Sequence, residues 1–523
     1  MERTMKQLLL PALAALALLA TTGAHANNIQ VTNPTLINGT GGNATIQFDL
    51  SWENSWRGGG VSNWDAAWVF VKYYSGVAWH HANLNNSGHV AATGSQIDLG
   101  LLTPGTAYNA NSNPVVGVFV YRNADGTGNL SLPGTQLSWN YGALGLAFND
   151  ISKVQVFAIE MVYVPQGSFA AGAATTTGGE YDAFTLTTIN TADATAAPGG
   201  TGSLGGQAGG YPTGQVAPTA AGWPNGYTSF YCMKYELSQQ GYVDFLNTLT
   251  YPQQVTRTIT DSNSITGAGA LSSSNAYRNG IDVLYPSLYG TTSIVFVCNL
   301  NGNSAYGENS DGSDIACNWL SWADLTAFLD WSGLRPMTEL EFEKSCRGPL
   351  LAIPGEFPWG SNSGPTAPLG VVSQGLNNEG ISGGYMTNDD AGNALTYETS
   401  GYISGPVRVG IFAANSANTG RKTSGAGYYG IMELAGNVFE QVVSIANVGG
   451  NPFTGNHGNG VLNATGQADA LDWPTQHGFG IRGGAFRAGG NQMRVADRLN
   501  AGDQNALVGR TSMNGGRGVR SAQ

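Results

Sequence analysis

After the N-terminal segment, apolar residues occur in short runs that are rich in β-branched and aromatic side chains. Turn-forming clusters such as NGTGGN and NADGTGN separate these runs. Strands divided by turns over this length are typical of an immunoglobulin-like β-sandwich. We therefore predict an all-β immunoglobulin-like sandwich over residues 27–157. Four runs rich in β-branched and aromatic residues indicate its strands: Ala44–Trp52, Ala66–Tyr74, Val115–Arg122 and Val154–Val164.

Further along the chain, the apolar residues change to the three-and-four spacing of helices. Ser238 precedes one such stretch as a helix N-cap residue. A second stretch begins at a serine and ends at Gly333, which suits a helix end. In a third, Thr338 and Glu341 have the spacing of a capping box. The predicted helical segments are residues 237–249, 321–333 and 337–348.

The chain between the two patterned regions is low in complexity. Residues 170–225 are dominated by Gly, Ala and Thr, which bury little surface and lose much entropy on ordering. We predict an insertion here rather than a separate domain, and we assign residues 158–523 to one domain that contains it.

The N-terminus has the features of a secretory signal over residues 1–26. A short positive start is followed by the apolar run Leu8–Ala20, and Ala24 and Ala26 are the small residues that signal peptidase requires. No later run of about 20 apolar residues follows, so we predict no transmembrane segment. We expect a secreted protein, extracellular or periplasmic, or held at the cell surface.

Composition narrows the classes of function. The net charge is −12 and only 11% of residues are charged, which argues against nucleic-acid binding because that needs a basic surface. The 76 glycines indicate a loop-rich protein. The chain has four cysteines and no CxxC motif, so we predict two disulfides, with three pairings open, rather than a zinc site. They are Cys232, Cys298, Cys317 and Cys346.

Seven motifs follow one another from residue 161 onward: MVYVPQGSF (Met161–Phe169), FYCMKYELSQQGYVDFLN (Phe230–Asn247), NWLSWADLTAFLDWSGLRPMTELEFEKSCRG (Asn318–Gly348), FPWG (Phe357–Gly360), YGIMELAGNVFEQV (Tyr429–Val442), IRGGAF (Ile481–Phe486) and GRGVR (Gly516–Arg520). In this order they resemble the formylglycine-generating-enzyme family, also called the sulfatase-modifying-factor domain. The resemblance implies a loop-rich α+β domain with a C-type-lectin-like fold after the sandwich. Such a resemblance indicates fold more strongly than activity.

The same resemblance bears on catalysis. Oxidase members of that family hold copper with two cysteine thiolates a few residues after the RGG motif, and soft thiolates suit Cu(I). The corresponding residues here, 485–493, contain no cysteine. We therefore expect no copper and no catalytic residue, and we favour a non-catalytic ligand-binding protein. A divergent oxidase acting on a secreted protein and a structural surface component are the alternatives.

The resemblance also implies a calcium site. In the family, the motif that corresponds to GNVFEQ and the residue before it bind a cation through carboxylate and backbone oxygens, which are the ligands calcium prefers. The matching positions are Glu433, Gly436, Val438 and Glu440. The alternative is that Glu440 pairs with a buried arginine and has a structural role.

Residues 484–516 mix large, small, polar and apolar side chains without a period. We expect Val495 to be buried, Arg494 and Arg498 to pair with carboxylates, and the residues between these framing positions to face outward. This layout resembles the variable target proteins of diversity-generating retroelements, which implies a hypervariable face that binds a protein or glycan at a cell surface. An irregular surface loop without a ligand is the alternative. The predicted ligand-binding residues are Phe486, Arg487, Asn491, Gln492, Met493, Leu499, Asp503, Gln504, Leu507, Met513 and Asn514.

Overall fold

The computed structural model describes most of the chain after residue 27. The predicted signal peptide lies outside the described residues, and so does part of the insertion predicted at residues 170–225. The described residues are 28–58, 62–173, 180–181, 183–194, 218, 220–366, 370–381, 391–397, 403–414, 420–445, 449–502 and 509–523.

The N-terminal region is built of strands, as its short apolar runs predict. Along β2 the inward side chains Ile46, Phe48, Leu50 and Trp52 are buried, while most of the residues between them are partly exposed. The strands are β1 (Gln30–Asn38), β2 (Asn43–Gly58), β3 (Asn63–Ser75), β4 (Ala78–His81), β5 (Ser95–Leu101), β6 (Val115–Arg122), β7 (Gly126–Asn140) and β8 (Ile151–Val164).

These strands form two layers around an apolar core. One layer joins β2 to β1 and β7, and the other joins β3 to β4, β6 and β8, with β5 beside β6. Strands β2 and β3 pair with each other only beside their connecting turn, at Arg57–Trp64 and Gly58–Asn63. Val69, Leu132 and Trp139 belong to the buried core that also contains the inward side chains of β2. The arrangement is consistent with a β-sandwich.

The rest of the chain combines helices with short strands, so the fold class is α+β. The helices are α1 (Gln239–Leu246), α2 (Tyr251–Arg257), α3 (Trp322–Trp331) and α4 (Glu339–Arg347). The strands are β9 (Phe169–Ala171), β10 (Thr187–Ile189), β11 (Phe230–Met233), β12 (Ile281–Tyr285), β13 (Val295–Cys298), β14 (Arg335–Pro336), β15 (Ser363–Thr366), β16 (Val371–Val372), β17 (Gly380–Ile381), β18 (Ala391–Asn393), β19 (Glu440–Val443), β20 (Phe479–Arg482) and β21 (Gly518–Ser521).

Local capping signals explain where three helices begin. The Ser238 side chain accepts a hydrogen bond from the backbone of Gly241 at the start of α1. Ser321 caps α3, and Gly333 follows that helix with a φ of +73°. Thr338 and Glu341 form the predicted capping box of α4. The three predicted helices are confirmed, whereas α2 was not predicted because it is short and weakly patterned.

The N-terminal layers and the C-terminal domain share one sheet. Strand β8 pairs with β3 along most of its length and then with β11, which continues through β21 to β14. The predicted boundary at residue 157 therefore falls inside β8. On the outer face of β3, Trp68 Nε1 donates to Ser332 O at 2.7 Å, and Lys72 Nζ donates to Trp331 O at 2.7 Å. Both carbonyls lie at the end of α3.

The described parts of the predicted insertion pack onto this domain. Strands β9 and β10 pair, and Phe184, Ile189 and Trp223 are buried in the main core. Trp223 Nε1 donates to Gly450 O at 3.1 Å. These apolar residues, spaced through the Gly-rich segment, contact the domain directly.

Candidate functional site

A buried group of charges supports the C-terminal segment. Because they are four residues apart, Glu339 and Glu343 share one face of α4. Arg482 Nη1 donates to Glu339 Oε2 at 2.8 Å, and its Nη2 donates to Glu343 Oε1 at 3.0 Å. Arg498 Nε donates to Glu339 Oε2 at 2.7 Å. All four side chains are buried, and we call them the ionic frame.

In the ionic frame, pairing shifts the pKa values of Glu339 and Arg482 in the directions that favour their charged forms. Burial would raise the pKa of Glu339, but the guanidiniums of Arg498 and Arg482 hold it below its ordinary value. Burial would lower the pKa of Arg482, but Glu343 and Glu339 raise it. Pairing therefore favours the charged forms of Glu339 and Arg482 against the effect of burial.

The sequence predicts burial for Val495 and carboxylate partners for Arg494 and Arg498, and the structure confirms two of these three predictions. Val495 is buried, and Arg498 pairs with a carboxylate. The prediction for Arg494 is wrong: its guanidinium donates to the backbone carbonyl of Gly355 and lies 4.9 Å from the ring centre of Phe357.

Of the predicted ligand-binding residues, five reach the surface. Arg487, Asn491 and Leu499 are exposed, while Gln492 and Met513 are half-buried. Asp503, Gln504 and Leu507 lie outside the described residues.

Three others do not face outward, so that expectation is wrong for Phe486, Met493 and Asn514. Phe486 is fully buried in a cluster that includes Ile411, and Met493 is fully buried in a cluster with Trp359. The segment is irregular, and its backbone repeatedly turns a side chain inward without the period that would reveal it in the sequence.

Beside the exposed residues lies an open hollow of about 520 Å³. Tyr277 and Trp319 provide its aromatic walls, and their ring centres are 6.1 Å apart. Arg487 links this hollow to the predicted face, because its Nη1 donates to the Tyr277 hydroxyl at 2.9 Å. Its volume lies within the range of small-molecule sites, although the hollow is shallow and open to solvent. The hollow is lined by Ile259, Leu271, Ser272, Ser273, Ala276, Tyr277, Trp319 and Arg510.

The backbone around the hollow is strained. Asn275, Tyr277, Arg278 and Trp319 all have φ between +51° and +61°. Such left-handed conformations are unfavourable for bulky residues and often occur at functional sites. Trp319 Nε1 donates to Ala276 O at 3.1 Å, and the Trp319 amide donates to Thr511 O at 3.1 Å. These bonds hold the aromatic walls in fixed positions.

Arg510 is the charged residue in the lining. Its Nε and Nη2 donate to the two oxygens of Asp324 at 2.8 and 2.9 Å. Burial would lower the pKa of Arg510, but Asp324 raises it. Its side chain remains 21% exposed, so the guanidinium can be reached from the hollow.

The residues predicted to bind calcium surround an arginine instead. Arg517 Nε donates to Glu440 Oε1 at 2.6 Å, and both side chains are buried. Glu433 Oε1 accepts a hydrogen bond from the Gly410 amide at 2.9 Å. Burial is the main cause that raises the pKa of Glu433 to about 7 and that raises the pKa of Glu440 as well. The arrangement agrees with the alternative structural role of Glu440.

At the other two positions the backbone amides are hydrogen-bonded within the fold. The Val438 amide donates to Glu236 Oε1 at 3.1 Å, and the Gly436 amide donates to Gly483 O at 2.8 Å. Calcium needs a shell of oxygens, and the Arg517 guanidinium already occupies one carboxylate of this set. The Oε2 atoms of Glu433 and Glu440 accept no hydrogen bond within the described residues, and calcium at these four residues stays a prediction. Among the described residues, no three His, Cys, Asp or Glu side chains are grouped so that they could hold a metal ion.

The predicted disulfides are wrong, because all four cysteines are free and buried. Cys232 and Cys346 lie in one apolar cluster, and Cys298 and Cys317 lie in another. Burial raises the pKa of Cys232 to about 12 and raises the pKa values of the other three thiols well above their ordinary value. None of the four sits in an open cleft where a thiolate could react.

Sequence reasoning missed the hollow itself. Its walls come from three distant stretches, around residues 259–277, at Trp319 and at Arg510, and no motif connects them. One signal was present: Tyr277 stands in the polar run SSSNAYRNG, where an aromatic residue has no core periodicity to explain it.

Comparisons with known proteins agree with the motifs. In the described part of the chain, no helix is both long enough and apolar enough to cross a bilayer. A search of curated proteins finds no match to the chain. The family model described as the sulfatase-modifying factor enzyme 1-like domain matches residues 147–520, which is more than half of the chain. By its sequence and by the elements it folds into, this chain belongs to the sulfatase-modifying factor enzyme 1-like domain family.

Proposed function

We propose that this chain is a secreted, non-catalytic ligand-binding protein. The observation that carries the proposal is the hollow walled by Tyr277 and Trp319, which adjoins the exposed Arg487. Trp, Tyr and Arg are the residues that contribute most to binding at interfaces. The ligand is a protein or a glycan at a cell surface, and the N-terminal layers act as a spacer or docking module.

The residue chemistry after the RGG motif supports a non-catalytic role. Residues 485–493 offer no thiol, and Met493, whose sulfur is the one soft ligand there, is fully buried. The four cysteines elsewhere are buried with raised pKa values, and metal-binding thiolates need the opposite environment. Copper-dependent thiol oxidation therefore has no evident ligands in this domain.

The exposed part of the C-terminal segment is suited to diversification by a retroelement. Arg487, Asn491 and Leu499 are exposed, so their replacement avoids the roughly 2–5 kcal/mol that core substitutions cost. Phe486 and Met493 are core residues, and we expect them to stay fixed. In this proposal the ionic frame stays constant while the exposed positions vary.

The test is a binding screen with matched variants. The wild-type protein is applied to a glycan array and to a yeast-displayed peptide library, in parallel with Trp319→Ala. Trp79→Ala is the control, because Trp79 is also a half-buried tryptophan but lies on β4, outside the hollow. We expect at least one ligand whose binding is lost in Trp319→Ala and retained in Trp79→Ala.

A second measurement addresses the oxidase alternative. The protein is titrated with Cu(I), and oxygen uptake is followed with a cysteine-containing peptide. We expect no stoichiometric tight copper binding and no turnover. Tight binding of one Cu(I) per chain with peptide oxidation would overturn the non-catalytic proposal.

A further inference from the structure

The charges beneath the hollow are not balanced. Arg257 and Arg510 both contact Asp324: Arg257 Nη1 lies 3.2 Å from its Oδ1, and Arg510 binds both of its oxygens. Asp324 is fully buried and Arg257 nearly so. Two guanidiniums therefore share one carboxylate at this position, whereas the ionic frame matches two arginines with two glutamates.

Arg257 is also short of hydrogen-bond acceptors. Within the described residues its Nε and Nη1 donate no hydrogen bond, although Arg257 is only 3% exposed. Buried donors of a charged group without acceptors are unfavourable and call for a further partner. The end of α2, where Arg257 is the last residue, offsets part of this cost through the helix dipole. An excess of one positive charge remains.

We infer that the hollow binds an anionic sugar, with Arg510 contacting its carboxylate or sulfate group and Arg257 adding positive potential from beneath. This inference rests on the proposed function and specifies its ligand. Arg510 lines the hollow directly, and within the described residues its hydrogen bonds use Nε and Nη2 rather than Nη1. A planar guanidinium is suited to carboxylate and sulfate oxygens.

The other lining groups favour a ring over an extended chain. Ser272 and Ser273 line the hollow together with Tyr277 and Trp319, so polar and aromatic residues both border a space of about 520 Å³. That volume suits a small ring-bearing ligand, whereas protein partners usually cover a far larger area. The chain carries a net charge of −12, which disfavours an extended acidic peptide more than a ligand with a single negative charge.

The test uses two sugars that differ only at C6, where one carries a carboxylate and the other a neutral hydroxymethyl group. Methyl β-D-glucuronide and methyl β-D-glucoside are titrated into the full-length protein by calorimetry and by saturation-transfer NMR. We expect the glucuronide to bind about tenfold more tightly than the glucoside, the effect of one hydrogen bond to a charged group. The preference should weaken as salt is added, because Arg510 is partly exposed.

Variants test whether the preference for the glucuronide depends on Arg510. Arg510→Gln should bind both sugars equally, and Arg510→Lys should restore part of the preference. Asp324 keeps Arg257 and Ser321 as partners in both variants, so the fold should persist, which circular dichroism checks. Lys153→Gln is the charge control, since it removes an exposed positive charge on β8, outside the hollow. It should leave the preference unchanged.

The outcomes separate this inference from the proposed function. Equal binding of both sugars that is lost in Trp319→Ala overturns the anion inference and supports the hollow as a ligand site. A preference that survives in Arg510→Gln overturns it too, as does tighter binding of an acetyl-Asp-Glu-Asp-Glu-amide peptide. If neither sugar binds the wild-type protein, the inference fails, and the array and peptide-library screen decides the proposed function independently.

Discussion

The ionic frame and the hollow use the same residue types in opposite ways. In the frame, Arg482 and Arg498 are buried, and each donates to a glutamate of α4. At the hollow, Arg257 and Arg510 share Asp324, and Arg510 remains partly exposed. Buried and matched charges fix the backbone, whereas an excess charge beside the surface leaves a contact that a ligand can complete. Both arrangements lie in the same domain. The same contrast in exposure occurs within the C-terminal segment, where Arg482 is buried and Arg487 is exposed.

The largest expected effect follows from breaking the frame. Glu339→Ala leaves two buried guanidiniums without their shared carboxylate, and we expect the free energy of unfolding to fall by about 5 kcal/mol, the upper end for a broken buried pair. Urea denaturation measures this. Glu339→Gln keeps part of the hydrogen bonding and should lose less. A loss below about 1 kcal/mol in Glu339→Ala would show that the frame does not stabilise the domain.

The next effect distinguishes core from face within the C-terminal segment. Phe486→Ala should destabilise by about 3–4 kcal/mol, because the ring is fully buried. Its neighbour Arg487 contacts Tyr277 through a hydrogen bond to the hydroxyl and through the ring face. Replacing Arg487 with Ala should therefore lower the free energy of unfolding by less than about 1 kcal/mol. Thermal and urea unfolding of both variants provide the comparison. Equal losses would contradict the division into fixed and variable positions.

The third prediction concerns the pH dependence of stability that comes from one buried carboxylate, that of Asp314. Asp314 is buried, and neither of its side-chain oxygens accepts a hydrogen bond within the described residues, so burial raises its pKa to about 8. The folded state then holds a proton that the unfolded state releases near pH 4, and stability falls as the pH rises between these values. Asp314→Asn cannot titrate.

We therefore expect Asp314→Asn to match the wild type near pH 4 and to be more stable at pH 8 by on the order of a few kcal/mol. Urea unfolding across this range measures the slope. Parallel profiles for the two proteins would mean that Asp314 is ionised in the fold and has a partner there.

The smallest expected effect is the absence of a response to reductant. Because the four thiols are buried, Ellman's reagent should not react with the native protein and should detect four thiols after unfolding in guanidinium. Addition of dithiothreitol should leave the melting temperature unchanged. Two or fewer thiols in the unfolded, unreduced protein would restore the disulfide prediction.

Local signals made much of the fold predictable. Ser238, Ser321 and Thr338 each cap the helix that the sequence indicates, since a cap acts within one turn of its own residue. Alternation along β2 and the run of β-branched and aromatic residues along β3 likewise indicate these strands directly. The motifs specified the family for the same reason, because each is a short contiguous stretch.

The candidate site could not be predicted in the same way. The hollow brings Ile259, Trp319 and Arg510 together from distant parts of the chain, and no local rule connects such residues. The cysteine count suggested disulfides, but a count contains no distances. Phe486 and Met493 were expected on the surface because an irregular segment has no period that marks its inward side.

Strand β8 limits how the protein could be cut into fragments that fold on their own. One edge of β8 pairs with β3 along most of the strand, and the opposite edge pairs with β11 over its last four residues, Met161–Val164. A fragment that starts after residue 157 would lose the cover over Trp331 and leave the carbonyls at the end of α3 without Lys72 and Trp68. The two regions therefore have to be expressed together, because a single ladder of backbone hydrogen bonds joins the N-terminal strands to the C-terminal domain.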